Sequence, residues 1–204
     1  ASNLDVLPSD LEMKDGYVYR GSSSNTKLSF SDIGYLTRET PLEINASLMP
    51  GSKDFIINSF GAHFARVEVD VTTGQVEIIQ YIAAHDSGQI LNPSLAVNQV
   101  EGGISQMLGF TLTEEMIIDD FTGGIVNPRY LEHKSPTILD IPPIEVIFAD
   151  VLDPEGPFGA KALGELPSIG VAPAIVNAIH DAIGIWVHDL PASPNRILEL
   201  LDNI

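Results

Sequence analysis

The sequence predicts an α+β fold. Three observations carry this reading: a clear antiparallel hairpin near residues 64–84, helices with caps and apolar stripes near residues 92–108 and 173–201, and an irregular order of strands and helices. A doubly wound sheet requires a regular strand–helix alternation, which the chain lacks. No internal repeat and no low-complexity tract interrupts it.

Taken in order, residues 1–8 read as a linker or the end of a helix. Asp15-Gly16 marks a turn before a short strand at residues 17–20. Residues 21–25 form a polar loop, and residues 27–30 a second strand. Ser31 is placed to cap a short helix running to Leu36. Residues 37–53, with Pro41, Pro50 and Gly51, read as a loop that lines a channel. From Phe64 to Val71 apolar and polar residues alternate, with Val67, Val69 and Val71 on one face and Arg66, Glu68 and Asp70 on the other. Thr72-Thr-Gly74 turns the chain back into a partner strand that ends at His85-Asp86.

Asn92-Pro93 combines a capping side chain with a proline suited to the first helical position. Val97, Val100, Ile104 and Met107 or Leu108 then recur at helical spacing. Gly102-Gly103 weakens such a helix unless close packing or a ligand requires small residues there. Residues 114–120 read as a strand ending in an acidic turn, and residues 144–148 as another strand. A second apolar helix spans residues 173–182 and stops at Gly184. Residues 185–187 read as a short strand, and Ser193-Pro194 opens a last helix carrying Ile197, Leu198, Leu200 and Leu201.

Bulk composition narrows the function. With 204 residues and 44% hydrophobic content the chain can bury a core in one or two domains. A net charge of −18 argues against nucleic acid or an anionic membrane surface as partner. The absence of cysteine excludes disulfides, a thiolate nucleophile and iron–sulfur ligation by these residues. No apolar run is expected to cross a membrane, and the compartment expected is the cytoplasm. The five histidines show no zinc-type spacing, and Glu114-Glu115 and Asp119-Asp120 match no calcium loop, so no metal ligands are expected on this chain. His180, in a helix of alanines and isoleucines, reads as a satisfied core residue.

The stretch with the most chemical content is Gly156-Pro-Phe-Gly-Ala-Lys-Ala-Leu-Gly-Glu-Leu-Pro167. Its glycines let the backbone approach a ligand, and its prolines stiffen both ends. Glu165 is held on a turning segment just before a helix. Beside Leu163 and Leu166 its carboxyl is expected to be raised, as suits a general base. The competing reading is a Gly/Pro loop with one exposed glutamate.

Gly159-Ala-Lys-Ala-Leu-Gly-Glu-Leu-Pro167 resembles the catalytic-glutamate segment of the molybdenum hydroxylases, the xanthine oxidase and aldehyde oxidoreductase family. Further collinear segments agree: Gly61-Ala-His-Phe-Ala-Arg-Val-Glu-Val-Asp70, Ala84-His-Asp-Ser-Gly88 with Asn92-Pro93, Asn98-Gln-Val-Glu-Gly-Gly103, Gln106-Met-Leu-Gly109, Pro136-Thr-Ile-Leu-Asp-Ile-Pro142 and Val171-Ala-Pro-Ala-Ile-Val-Asn-Ala-Ile179. The resemblance implies that residues 1–204 are the C-terminal portion of a molybdopterin-binding domain with mixed and antiparallel strands packed by helices. Residues 1–53 would be peripheral and residues 54–204 would carry the cofactor and active-site portion.

The resemblance also assigns roles. It implies base-assisted hydroxylation of an aldehyde or a purine-like N-heterocycle, with water as oxygen source. Glu165 would take a proton from a metal-bound hydroxide while hydride passes to the metal's sulfido ligand. Gln99 matches the glutamine beside the pterin, and Gly102 and Gly103 would let the cofactor approach the helix or serve helix packing. Gly159, Ala160 and Lys161 match the segment running beside the molybdenum. Lys161 is placed to meet a phosphate or to position Glu165, with a solvated lysine as the competing reading. The cofactor implied is molybdopterin, in its cytosine dinucleotide form, with molybdenum. Iron–sulfur clusters and FAD are expected on partner chains, beside the remaining molybdenum-binding portion, which holds the other residues around the metal. The alternative is a non-catalytic structural or assembly piece, inactive without that portion.

Overall fold

The computed structural model describes residues 4–5, 7–20, 26–38, 43, 45, 58–149 and 151–202. The predicted polar loop at 21–25 and nearly all of the 39–53 segment lie outside the described residues. The chain divides into two compact units, residues 1–50 and residues 51–204.

In the first unit a tight turn organises a small sheet. Asp15 and Gly16 both take positive φ, 49° and 76°, the backbone of a two-residue hairpin loop. It joins β1 (Leu11–Lys14) to β2 (Tyr17–Arg20), and β3 (Lys27–Ser29) pairs antiparallel on the other edge. Helix α1 (Phe30–Leu36) is capped two residues earlier than predicted. The capping residue is Ser29, whose Oγ accepts from the Asp32 amide at 3.0 Å while the Asp32 carboxylate accepts from the Ser29 amide at 3.0 Å. Ser31 lacks such a partner three residues on, whereas Ser29 and Asp32 form a reciprocal box that satisfies two exposed amides.

In the second unit β4 (Phe60–Val69) and β5 (Val76–Asp86) form the predicted hairpin, longer than its alternation suggested and bulged between Arg66 and Val67. Its turn is set by Asp70, whose Oδ1 accepts from the Thr72 amide at 2.8 Å, and by Gly74 at φ 75°. β6 (Ile144–Phe148) joins β5 in parallel, so the sheet order is β4-β5-β6 and the sheet is mixed. A parallel neighbour needs a crossover, and that crossover contains α2 (Pro93–Leu112). Asn92 caps α2 as predicted, its Oδ1 accepting from the Leu95 amide at 3.1 Å. Ala96, Val100, Gly103, Ile104 and Leu108 form its buried stripe.

After β6 come α3 (Leu166–Ile169), α4 (Val171–Ile183) and α5 (Pro194–Leu201). Gly184, at φ 77°, stops α4 as predicted. The core joins Tyr81 and Ala83 of the sheet to Val100 and Ile104 of α2, Ile175 and Ile179 of α4 and Ile197 of α5.

Two predicted strands are absent. Residues 114–120 contain only an isolated bridge, Ile118 with Ile125, and the acidic turn is built by Asp119 accepting from the Thr122 amide at 2.7 Å. Residues 185–187 form no strand, although Ile185 and Val187 are buried as core. Residues 166–183 are apolar enough to match a membrane span, contrary to expectation, with mean hydropathy 1.3 over 18 residues. That hydropathy serves the core: the run is broken by a turn at Gly170, and Val171, Ile175 and Ile179 are fully buried.

Candidate active-site cleft

The predicted site residues fall into two neighbouring groups on the second unit. Gln99, Gly102, Gly103 and Glu165 line one open cavity of about 640 Å³, together with Gln106, Met107, Gly164, Ser168 and Ile169. One wall is a face of α2, where residues 99, 102, 103 and 106 recur at three- and four-residue intervals. The other wall is the turn that opens α3.

Two contacts join the walls. The Gln99 Nε2 donates to the Gly164 carbonyl at 2.6 Å, fixing the residue before Glu165 onto α2. A Cβ on Gly103 would lie 2.9 Å from the Pro167 Cβ, so Gly103 is the packing point of α2 against α3. Gly102 differs: a Cβ there would meet nothing within 4 Å. The pair of glycines thus divides between helix packing and an open stretch of helix backbone facing the cavity.

Glu165 precedes α3 at φ −100° and ψ −17°, with its carbonyl accepting from the Ser168 amide at 2.9 Å. It is exposed at the cavity rim. Leu163 and Leu166, expected from the sequence to shield it, leave the residue exposed. Amides, a hydroxyl and a carboxylate arranged around bare helix backbone fit a flat, polar heterocycle such as a pterin.

The second group is the strap at residues 159–161, which pairs with residues 87–89 just after β5 and does not line this cavity. Gly159 takes φ 78°, and its carbonyl accepts from the Gln89 amide at 2.7 Å. Ala160 bridges Gly88, and the Lys161 amide donates to the Ser87 carbonyl at 2.7 Å. Lys161 is not solvated: its side chain is only 9% exposed, and Nζ lies 2.7 Å from Asp86 Oδ2 and 2.8 Å from the Asn58 carbonyl. The hydrogen bond from Lys161, reinforced by the Gly88 amide, holds the Asp86 carboxyl below the usual aspartate range. Lys161 therefore locks the strap to the sheet.

Beneath the strap lies a polar row that composition alone does not reveal. Tyr81, Ala83, His85 and Ser87 follow one another on one side of β5, and the register sets His63 of β4 opposite Ala83. His63 Nδ1 is 2.8 Å from the Tyr81 hydroxyl, and its ring meets His85 edge-on at 5.0 Å. His85 and Ser87 are 1% and 2% exposed. His63 Nε2, both His85 nitrogens and Ser87 Oγ have no hydrogen-bond partner among the described residues. Burial, with the charge of His85 second, lowers His63 to about 4, and burial likewise lowers His85. Both imidazoles are neutral at pH 7. His180 is not satisfied as expected: its Nδ1 has no partner among the described residues, and its ring stacks on Trp186 at 3.8 Å.

Of the other lining residues, Met107 belongs to the apolar stripe read from the sequence, and Gln106 follows from the same helical face as Gln99. Ser168, Ile169 and the partnership of Asp86 with Lys161 required the fold. Among the described residues no group of three or more His, Asp or Glu is arranged to hold a metal ion.

Comparison with known proteins identifies the family of the chain. Residues 1–142 match the family model of the molybdopterin cofactor-binding domain. The putative xanthine dehydrogenase molybdenum-binding subunit of Escherichia coli K12 is 43% identical over 141 residues, which is 69% of this chain and 19% of that protein. The aldehyde oxidoreductase molybdenum-binding subunit of the same organism is 36% identical over 205 residues, covering 100% of this chain and 28% of that one. Quinoline 2-oxidoreductase from Pseudomonas putida 86 superposes with a TM-score of 0.73 at 29% identity, over 98% of this chain and 27% of its own. The chain thus spans between 19% and 28% of the length of these two curated relatives. With the domain match reaching across most of its length and a 36% identical relative aligned over all of it, the chain belongs to the xanthine dehydrogenase and aldehyde oxidoreductase family of molybdenum hydroxylases.

Proposed function

We propose that this chain supplies the general base and one wall of the cofactor cleft in a molybdenum hydroxylase. The enzyme would oxidise an aldehyde or a purine-like N-heterocycle, with water as the oxygen source. What supports the reading is one observation: Gln99, Gly102, Gly103 and Glu165 come from distant segments and line a single cavity. That cavity pairs a carboxylate with amides and open helix backbone.

Molybdopterin with its molybdenum, in the cytosine dinucleotide form, supplies the redox chemistry when bound. In this reading Gln99 and Gly102 border the pterin, and Gly103 sets the distance between α2 and α3. Gly159 and Ala160 would border the metal-bearing end of the cofactor, and Lys161 fixes their course through Asp86. Glu165 accepts at a carboxylate oxygen the proton released as the oxygen of water is transferred to the substrate carbon. The remaining molybdenum-binding portion closes the cleft over Glu165 and excludes water. Electrons leave through iron–sulfur and FAD groups on partner chains, and the assembly works in the cytoplasm.

The test is Glu165→Gln in the assembled enzyme. The amide keeps the shape and cannot take up the proton, so kcat should fall by about 10²- to 10⁴-fold at unchanged molybdenum content. Undiminished turnover would overturn the reading and leave the chain a structural or assembly module.

A further inference from the structure

The turn that carries Glu165 is held at three points. Gln99 holds Gly164 and Gly103 receives Pro167, both from α2. The third point is Gly170, where α3 meets α4. A Cβ on Gly170 would approach the His63 ring to 2.5 Å at Cδ2 and 2.7 Å at Cγ, so the imidazole lies directly against the glycine backbone. Gly170 has φ −81° and ψ −7°, a conformation open to any residue. Glycine at this position is thus required by the contact and not by the backbone angle.

His63 is a rigid support. It belongs to the long β4/β5 hairpin, its Nδ1 is hydrogen-bonded to the fully buried Tyr81, and its ring abuts His85 at 80°. On the far side of Gly170, Val171, Ile175 and Ile179 anchor α4 in the core. A shift at Gly170 bears directly on α3, whose C-cap it is, and so on the turn that carries Glu165.

We propose that His63 is a positioning residue for the Glu165 turn, its imidazole ring being the seat on which Gly170 and α3 rest. This rests on the reading of Glu165 as the base. The part His63 plays is steric: a flat ring sets the height of the turn above the sheet, while Tyr81 and His85 set the angle of the ring.

The experiment uses the assembled hydroxylase carrying Gly170→Ala, His63→Ala or both. It measures kcat and KM per bound molybdenum, and hydrogen exchange of residues 163–170. Gly170→Ala should speed exchange in that segment and lower kcat by about ten- to a hundred-fold, with KM little changed. Adding His63→Ala makes room for the new methyl and should recover part of both losses. Unchanged exchange in Gly170→Ala, or a double variant no better than Gly170→Ala alone, overturns the proposal. Should Gly170→Ala fail to fold, His63→Phe and His63→Ala replace it. The phenyl ring keeps a seat for Gly170 and should retain the exchange protection that alanine loses, and equal protection in the two overturns the proposal. Faster exchange with kcat intact would support the seat and overturn instead the role of Glu165.

Discussion

Two kinds of buried charge chemistry meet under the strap, and they predict different pH responses. Asp86 and Lys161 are a formed ion pair, and Asp86 is held below its usual value of 3.8. Its stabilising contribution is complete above that value and is lost only as pH falls further. His63 and His85 are the opposite case, imidazoles kept neutral by burial, with His63 lowered from 6.5 to about 4. Between those values the unfolded chain binds protons that the folded chain does not. Stability should therefore fall as pH drops from about 6.5 toward about 4. Thermal midpoints of the assembled protein measured across that window should decline, and His63→Phe should flatten the decline. Identical slopes in the two proteins would rule out His63 as the source. This row was not read from the sequence because His63 joins Tyr81 and His85 only through strand register, with Gly61 opposite His85 and His63 opposite Ala83.

At the scale of elements, what could be read in advance followed periodicity and capping chemistry. The β4/β5 hairpin alternates cleanly, α2 carries its own cap at Asn92, and Gly184 ends α4. Residues 185–187 misled because β-branched and aromatic residues suit a strand, yet a strand needs a ladder partner that local composition does not specify. For the site, helical spacing already set Gln99 and Gly102 on one face, but the division of labour between Gly102 and Gly103 required the position of Pro167. That division predicts opposite effects of the same change. Gly102→Ala adds a methyl in open space on a helix and should stabilise by about 0.5–1 kcal/mol, while reducing molybdopterin content if the cofactor lies against that backbone. Gly103→Ala drives a methyl against Pro167 and should cost about 1–3 kcal/mol. Denaturation midpoints and molybdenum content of both variants check this. Equal stability effects would contradict the packing described for α2 and α3.

The whole molecule carries a net charge of −18 and yet leaves several large apolar side chains in water, among them Phe121, Tyr130, Leu131, Ile138 and Leu139. All five lie between α2 and β6, in residues that form no regular ladder. The cavity beside Glu165 is likewise open, where base catalysis calls for exclusion of water. Exposed apolar residues and an open polar cleft are both what a surface made to be covered presents. The proposed assembly accounts for both, with the remaining molybdenum-binding portion and the electron-carrying chains covering what these residues expose. Native mass spectrometry of the protein purified gently from its source is the direct check. A large complex should appear, with a mass increment for molybdopterin and with iron–sulfur and flavin components. On dissociation of that complex, exchange of residues 116–139 should rise. A lone species near 22.0 kDa without cofactor would contradict the assembly, and the family relationship would then describe the origin of Glu165 without making it a working base.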